Sequence, residues 1–262
     1  MEAAIAALAA DREHGATDLA REALNILEAA AVRFPGDGLG AHLDGVGVLI
    51  TLARPTMASV KNAVTRALAD GPLVHLGQAK RACDRARAWL NDAAKATIEK
   101  TAAMIPNGAT ILTCSYSGTV LEACFGASTT GKQLKVIALR SKIGDIAYGE
   151  RMAESLVGRG IEGEVCPDNV SIPDLGPLTM ALIGADRLSP DGSLVNGVPS
   201  LLLAKRVYDV APLFVAAETF KLDDSKQIDA GFEAVPAGLI TGYVTDRGVV
   251  QPSQVWGLRG TT

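Results

Sequence analysis

The chain has 262 residues, 48% of them hydrophobic and 21% charged, with a formal net charge of −4; this excludes disordered and fibrous classes and places it with globular proteins that bury a sizeable core. Aromatic residues make up only 4%, so the core has to be built from Ala, Val, Leu and Ile, and a base-stacking nucleic-acid platform is disfavoured. The acidic balance speaks against a general grip on phosphate backbones while leaving room for a local basic pocket around one small anion.

The opening MEAAIAALAADREHG carries acids early and no basic stretch ahead of an apolar one, and no run of about 18 apolar residues occurs, so a cytoplasmic chain without a membrane span is expected. Leu19, Ala20, Ala23, Leu24, Leu27 and Ala31 recur at spacings of three and four, with Arg21, Glu22 and Glu28 opposite, which predicts an amphipathic helix. Phe34-Pro-Gly-Asp-Gly-Leu-Gly40 breaks it, because proline removes a donor and glycine favours turns. After a short apolar run over 46–52, Pro55 suits the first turn of a helix running toward Leu68. Beyond Asp70-Gly71-Pro72 a longer helix carries Cys83, Ala86, Leu90, Ala93, Thr97, Thr101 and Ile105 on one stripe.

From Pro106 onward the pattern changes to short apolar runs over 109–113, 134–139, 163–166, 179–183, 212–216 and 239–244, separated by helical segments. This alternation predicts a parallel sheet with helices on both faces. The change near Asn107-Gly108 sets the expected boundary, with a helical domain over 1–106 and a sheet domain over 107–262.

In open parallel sheets, ligands gather beyond the carboxyl ends of the strands, where the strand order reverses. The residues just past the predicted strands are Thr113-Cys-Ser-Tyr-Ser-Gly118, Arg140-Ser-Lys142, Cys166-Pro-Asp-Asn169, Gly184-Ala-Asp-Arg187, Glu218-Thr-Phe-Lys221 and Thr245-Asp246. Ser115-Tyr-Ser-Gly118, opening a helix at Thr119, can present N–H groups to a phosphate or act as an ordinary helix cap. Asp186 and Arg187 set a carboxylate and a guanidinium directly after a buried strand, which suits proton transfer beside a substrate hydroxyl and equally suits a surface ion pair or loop cap. Cys114 and Cys166 also fall at strand ends, where cysteine serves as readily as a buried hydrophobe. The four cysteines form no CxxC pair and His14, His42 and His75 lie far apart, so neither a metal site nor a disulfide framework is read. Gly36-x-Gly-x-Gly40 follows a helix and not a strand, which fails the context of a nucleotide-binding fingerprint.

Several ordered motifs resemble one family: Ile111-Leu-Thr-Cys-Ser-Tyr-Ser-Gly118, Val136-Ile-Ala-Leu-Arg140, Ile183-Gly-Ala-Asp-Arg187 with Asp191-Gly-Ser-Leu-Val-Asn196, and Phe214-Val-Ala-Ala-Glu-Thr-Phe-Lys221. The family unites the α/β/δ subunits of initiation factor 2B, methylthioribose-1-phosphate isomerase and ribose-1,5-bisphosphate isomerase. The resemblance extends to Asp11-Arg-Glu-His-Gly-Ala-Thr-Asp-Leu-Ala20 and Ala53-Arg-Pro-Thr56 and covers nearly the whole chain. It implies an N-terminal helical domain and a Rossmann-like parallel-sheet C-terminal domain, through which a homodimer or higher homo-oligomer forms; 199–204 is a candidate contact.

In the isomerases of this family the first strand ends in Thr-His-Cys, and that cysteine works with the aspartate of Gly-Ala-Asp. Here Ser115 stands at the cysteine position and Cys114 at the histidine position, while Asp186 is retained. The Ser-Tyr-Ser run is more similar to the initiation-factor α subunit, which lacks the aspartate, so two signatures are mixed. The phosphate-holding Asn-Lys-x-Gly-Thr appears as Asn196-Gly-Val-Pro-Ser200, so Gly197 supplies no cation. Arg-Gly-Ala has become His14-Gly15-Ala16, and the acid before Arg140 is replaced by Leu139, whereas Arg54, Asp168 and Asn169 match. The resemblance therefore implies Asp186 and Ser115 as catalytic positions. His14, Gly15, Ala16, Arg54, Cys114, Tyr116, Ser117, Arg140, Asp168, Asn169 and Asn196 are the implied substrate contacts. A phosphorylated sugar or nucleotide is the expected ligand, with no cofactor, metal, nucleic acid or membrane partner. Two functions follow: an aldose–ketose isomerase type of enzyme on a sugar 1-phosphate, favoured by Asp186, Asn196, Arg54 and Asp168, and a noncatalytic regulatory subunit, favoured by Ser115, Tyr116 and Gly197.

Overall fold

The structure, a computed structural model, describes residues 1–34, 36–71 and 73–259; Pro35 and Pro72, which belong to the two predicted breaks, lie outside them. The chain divides into two compact units, Met1–Ala93 and Ala94–Thr262. The first holds α1 (Glu2–Ala10), α2 (Ala16–Arg33), α3 (Leu39–Ala53), α4 (Ala58–Leu68) and most of α5 (Leu76–Met104). In α2 the predicted stripe from Leu19 to Ala31 is buried throughout, as its spacing requires. Pro55 does not open a helix, contrary to the sequence reading. The 46–52 run lies inside α3, Arg54 leaves helical geometry at ψ 63°, and α4 starts only at Ala58, because a residue before proline is pushed out of the α region.

All seven residues of the α5 stripe, Cys83 to Ile105, are buried. Thr101 is accommodated among them by donating its hydroxyl to the Thr97 carbonyl at 2.7 Å. The division between units falls inside α5, ahead of the boundary expected at 106/107, because Ala102 and Ile105 are buried in the core of the second unit. There Lys132 caps the helix end, its Nζ donating to the carbonyls of Ala102 (2.9 Å), Ala103 (3.2 Å) and Ile105 (2.7 Å).

The second unit continues with β1 (Ala109–Thr113), α6 (Gly118–Thr129), β2 (Leu134–Leu139), the hairpin of β3 (Lys142–Ile143) and β4 (Ile146–Ala147), α7 (Tyr148–Val157), β5 (Glu162–Cys166) and β6 (Met180–Ile183). After these come β7 (Arg187–Leu188), β8 (Leu194–Gly197), α8 (Ser200–Val207), β9 (Leu213–Ala216), β10 (Phe232–Val235), β11 (Gly242–Thr245), β12 (Gly248–Val250) and α9 (Pro252–Val255). The main sheet runs β12-β11-β9-β6-β1-β2-β5, parallel except for β12. Two half-sheets thus diverge from the β1/β6 boundary, the switch point of a doubly wound α/β fold. Alternate residues of β1 enter separate cores, Leu112 with Leu188 and Leu203, and Ile111 with Val120 and Met152, as the two-residue period of a strand demands.

The six predicted runs coincide with the six parallel strands, except that the last begins at Gly242, after a 3₁₀ turn over Ala237–Leu239. A second sheet, β10-β8-β7, and the β3–β4 hairpin were not anticipated, since their short strands lack a continuous apolar run.

The start of α7 lies against the end of β2, with Gly149 N donating to the Arg140 carbonyl at 3.0 Å. A methyl group on Gly149 would overlap the Leu139 carbonyl and reach 3.0 Å from that of Arg140. Gly149→Ala is expected to lower unfolding free energy by at least about 2 kcal/mol in urea titrations, since neither backbone group can yield; an unchanged midpoint would refute this close approach.

Candidate functional site

The carboxyl ends of β1 and β6 are neighbours, the strands being paired at Ile111↔Met180 and Leu112↔Ala181. Past β1, Cys114 turns into the core, its Sγ 3.3 Å from Ser200 Oγ, and burial pushes its thiol up to about 12. Its side chain thus packs within the core at a position where a ligand contact is expected from the sequence. Ser115 then reverses the chain with φ 60° and is half-buried. Its N–H donates to Ser141 Oγ at 2.8 Å. Its Oγ lies against Gly197, where an added methyl would come within 3.0 Å of it.

Tyr116 is covered by the Arg151 guanidinium at 4.4 Å and packs against the core behind β1. Ser117 caps α6, accepting from Val120 N at 3.3 Å, so the helix-cap reading of this run is realised. The turn is pressed onto β6: an added methyl on Gly184 would lie 2.5 Å from Ser117 Oγ.

Past β6, Asp186 is half-buried and its N–H donates to the Val195 carbonyl at 2.9 Å. Val195 and Gly197 are two residues apart on β8, so this strand ties Asp186 to the residue that touches Ser115 across roughly 7 Å. Arg187 does not lie at the surface. Arg187 is only 2% exposed, its Nη1 donates to the Gln227 carbonyl at 2.6 Å, and burial lowers its pKa against the opposing pull of Asp223 and Asp229.

The remaining predicted contacts in this unit separate into two sets. Asp168 accepts from Ser141 N at 2.8 Å through Oδ1, and Asn196 donates from Nδ2 to Ser200 Oγ at 2.8 Å, so both are built into the strand ends. Arg140 instead points along the surface to Glu150 Oε1 at 3.2 Å, and Asn169 is exposed in the turn after β5. In the helical unit, Gly15 caps α2, the Ala16 carbonyl accepts from Ser59 Oγ at 2.8 Å, and buried Arg54 donates from Nη1 to the Ala9 carbonyl at 3.4 Å. His14 is exposed and paired with Asp11 Oδ2 at 2.8 Å, a hydrogen bond that raises its pKa.

Sequence reasoning gave no role to a buried cluster past β9. Glu218 Oε1 accepts from Thr119 Oγ1 at 2.9 Å, and Lys221 Nζ lies 2.8 Å from Glu218 Oε2, both side chains sealed from solvent. The strand-end position was the available signal. Ser141 was missed for a different reason, since nothing in its identity announces its left-handed backbone at φ 52°. Among the described residues, no group of three or more His, Cys, Asp or Glu side chains is placed to hold a metal, and no helix is long and apolar enough to cross a membrane.

A doubly wound sheet with polar groups meeting at its switch point defines a Rossmann-like α/β protein with a candidate small-ligand site. The chain belongs to the initiation factor 2 subunit family, IF-2B, whose model matches residues 12–233. It is 32% identical over 170 residues to a Pyrococcus furiosus protein named as translation initiation factor eIF-2B subunit 2-like, an overlap of 58% of this chain and 61% of that relative. It is 29% identical over 187 residues to the methylthioribose-1-phosphate isomerase of Gemmatimonas aurantiaca, covering 57% of this chain and 54% of that enzyme. Both overlaps span less than two thirds of the relatives' length. With the ribose 1,5-bisphosphate isomerase of Methanocaldococcus jannaschii, identity is 26% over 241 residues, 80% of this chain and 77% of the enzyme. The crystal structure of Pyrococcus horikoshii OT3 translation initiation factor eIF-2B superposes with a TM-score of 0.87 at 24% identity, covering 97% of each chain; the likeness is one of fold.

All four cysteines are buried and free, and burial pushes the thiols of Cys83 and Cys166 up to about 11 and those of Cys114 and Cys124 to about 12. A disulfide reagent at pH 8 is expected to titrate no fast thiol in the native protein and four after unfolding. Because the folded values are raised, the associated stability is complete below the ordinary thiol pKa and is lost as pH climbs through 11 to 12. Rapid native labelling would contradict this placement.

Proposed function

We propose that the chain is an aldose–ketose isomerase type of enzyme acting on a sugar 1-phosphate, with Asp186 as the proton-transfer group. The observation that carries this reading is Asp186 at the switch point, joined through β8 to the residue packed on Ser115. Family membership alongside two isomerases of phosphorylated pentoses supports it.

In a sugar 1-phosphate the anomeric oxygen is blocked, so the ring opens first: the bond from C1 to the ring oxygen breaks and that oxygen gains a proton. The C2 hydrogen then moves to C1, by hydride shift or through an enediol, and the 2-hydroxyl gives up its proton to leave the ketone. One proton is gained and one lost, a balance that a carboxylate beside the 2-hydroxyl can manage. A serine hydroxyl is a much weaker acid than a thiol, so Ser115 contributes a hydrogen bond and not the acid of its thiol-bearing relatives. Pairing of two copies through the sheet unit is part of the proposal. Of 199–204, however, Leu203 and Ala204 are buried within the chain, and Leu202 is the large apolar side chain left exposed.

A second reading, a noncatalytic regulatory subunit, is favoured by the Ser115–Gly197 contact, which puts a hydroxyl and a bare backbone where the isomerases carry a thiol and a cation. Phosphorus NMR of the protein with ribose 1,5-bisphosphate, 5-methylthioribose 1-phosphate and ribose 1-phosphate separates the two. Conversion of one of them is expected, with Asp186→Asn lowering turnover by at least about 100-fold at retained binding and Ser115→Ala costing about tenfold. Unchanged turnover in Asp186→Asn would defeat the assignment, and binding without conversion by the wild type would favour the regulatory reading.

A further inference from the structure

We infer that Ser141 is the positioning residue for Ser115, with the Asp168 carboxylate behind it, so that a relay across the ends of β5, β2 and β1 sets the orientation of the site serine. Ser115 and Ser141 are the two non-glycine residues with positive φ among the described residues, at 60° and 52°. An L-residue held there costs about 1 kcal/mol or more and stays only where its surroundings fix it.

The hydrogen bonds supply that restraint and have a defined direction. Ser141 is 1% exposed; its Oγ–H donates to the Leu139 carbonyl at 3.0 Å, which turns an oxygen lone pair toward the Ser115 N–H at 2.8 Å. The Ser141 N–H is in turn taken by Asp168 Oδ1 at 2.8 Å. The Asp168 turn is anchored by Arg206 of α8, whose Nη1 donates to the carbonyls of Asp168 (3.3 Å) and Val170. With its amide committed, Ser115 has its hydroxyl left as a hydrogen-bond donor for a ligand, and that hydroxyl lies against Gly197.

Asp168, expected from the sequence as a substrate contact, therefore acts through Oδ1 on Ser141. The same serine roots the β3–β4 hairpin, its carbonyl accepting from Tyr148 N at 3.3 Å. An added methyl on Gly231, whose carbonyl accepts from Val198 N at 3.0 Å, would lie 3.4 Å from Ile143 of that hairpin. Ser141 thus links the ends of β1 and β5 to the β3–β4 hairpin.

The consequence for catalysis rests on the proposed isomerase reading, but the relay can be tested without it. In a Ser115→Cys protein the new thiol is the one half-buried cysteine against four buried native ones, so iodoacetamide labelling reports on position 115. Ser141→Gly removes Oγ while suiting a left-handed backbone, and is expected to speed labelling of Cys at 115 by about fivefold, the population change that one lost hydrogen bond supports. Asp168→Ala should act in the same sense, and Asp168→Asn, which keeps an acceptor oxygen, should label at the parent rate. A rate within twofold of the parent for folded Ser141→Gly overturns the proposal, and acceleration there with none from Asp168→Ala overturns the part assigned to Asp168. If no sugar phosphate is converted by the wild type, the isomerase reading fails while the labelling result stands. Where one is converted, Ser141→Gly should lower kcat with little change in KM, a split that general loosening of the fold would not produce.

Discussion

A buried strand that stops in the middle of a parallel sheet leaves amide and carbonyl groups that water cannot reach, and each has to find a partner within the protein. At the end of β1 that requirement is met by the hydrogen bond from Ser115 N–H to Ser141 Oγ. The geometry of the candidate site depends on it. By turning left-handed at Ser115, the chain sends Cys114 into the core and Ser117 to the cap of α6, and leaves the Ser115 hydroxyl at the switch point between them. The neighbouring strand solves the same problem with Ser141, whose own amide is satisfied by Asp168.

Close backbone approach is the second constraint on the site. Gly184, just past β6, and Gly197 of β8 lie against the β1–α6 turn, with room for a hydrogen atom and little for a methyl. Position 197 and position 115 are therefore sterically coupled. A lysine at 197 would start its side chain within 3.0 Å of Ser115 Oγ, so restoring a cation there requires Ser115 to move. Positions 115 and 197, the two at which the resemblance implies a departure from the isomerases, thus form one local arrangement of serine against glycine.

In the helical unit, Asp11 organises the segment that leads into His14-Gly15-Ala16. Its carboxylate accepts from the amides of Glu13 (2.8 Å) and His14 (2.9 Å) and from the His14 ring. Burial alone would raise the Asp11 pKa, and these hydrogen bonds outweigh it and lower it. His14 in this chain is thus a partner of its own turn, while Arg54 is buried beside the end of α1.

The sequence by itself determined the parallel strands and the long helices, because both carry their burial pattern locally. Strands covered on two faces read as unbroken apolar runs, and the α5 stripe repeats at helical spacing from Cys83 to Ile105. It also determined which strand ends hold polar chemistry, and the family resemblance pairs Ser115 with Asp186; the adjacency of β1 and β6 that puts their ends side by side belongs to the sheet order. What only the tertiary structure decided were the directions of individual side chains: Cys114 inward, Arg140 outward to Glu150, Arg187 buried, and Asp168 onto Ser141. Apart from Arg140, whose partner Glu150 is ten residues on, those directions are set by partners 26 or more residues away in the chain, such as Ser141 for Asp168 and Gln227 for Arg187. Local spacing carries no record of such partners, and a serine that adopts φ near 60° looks in the sequence like any other serine.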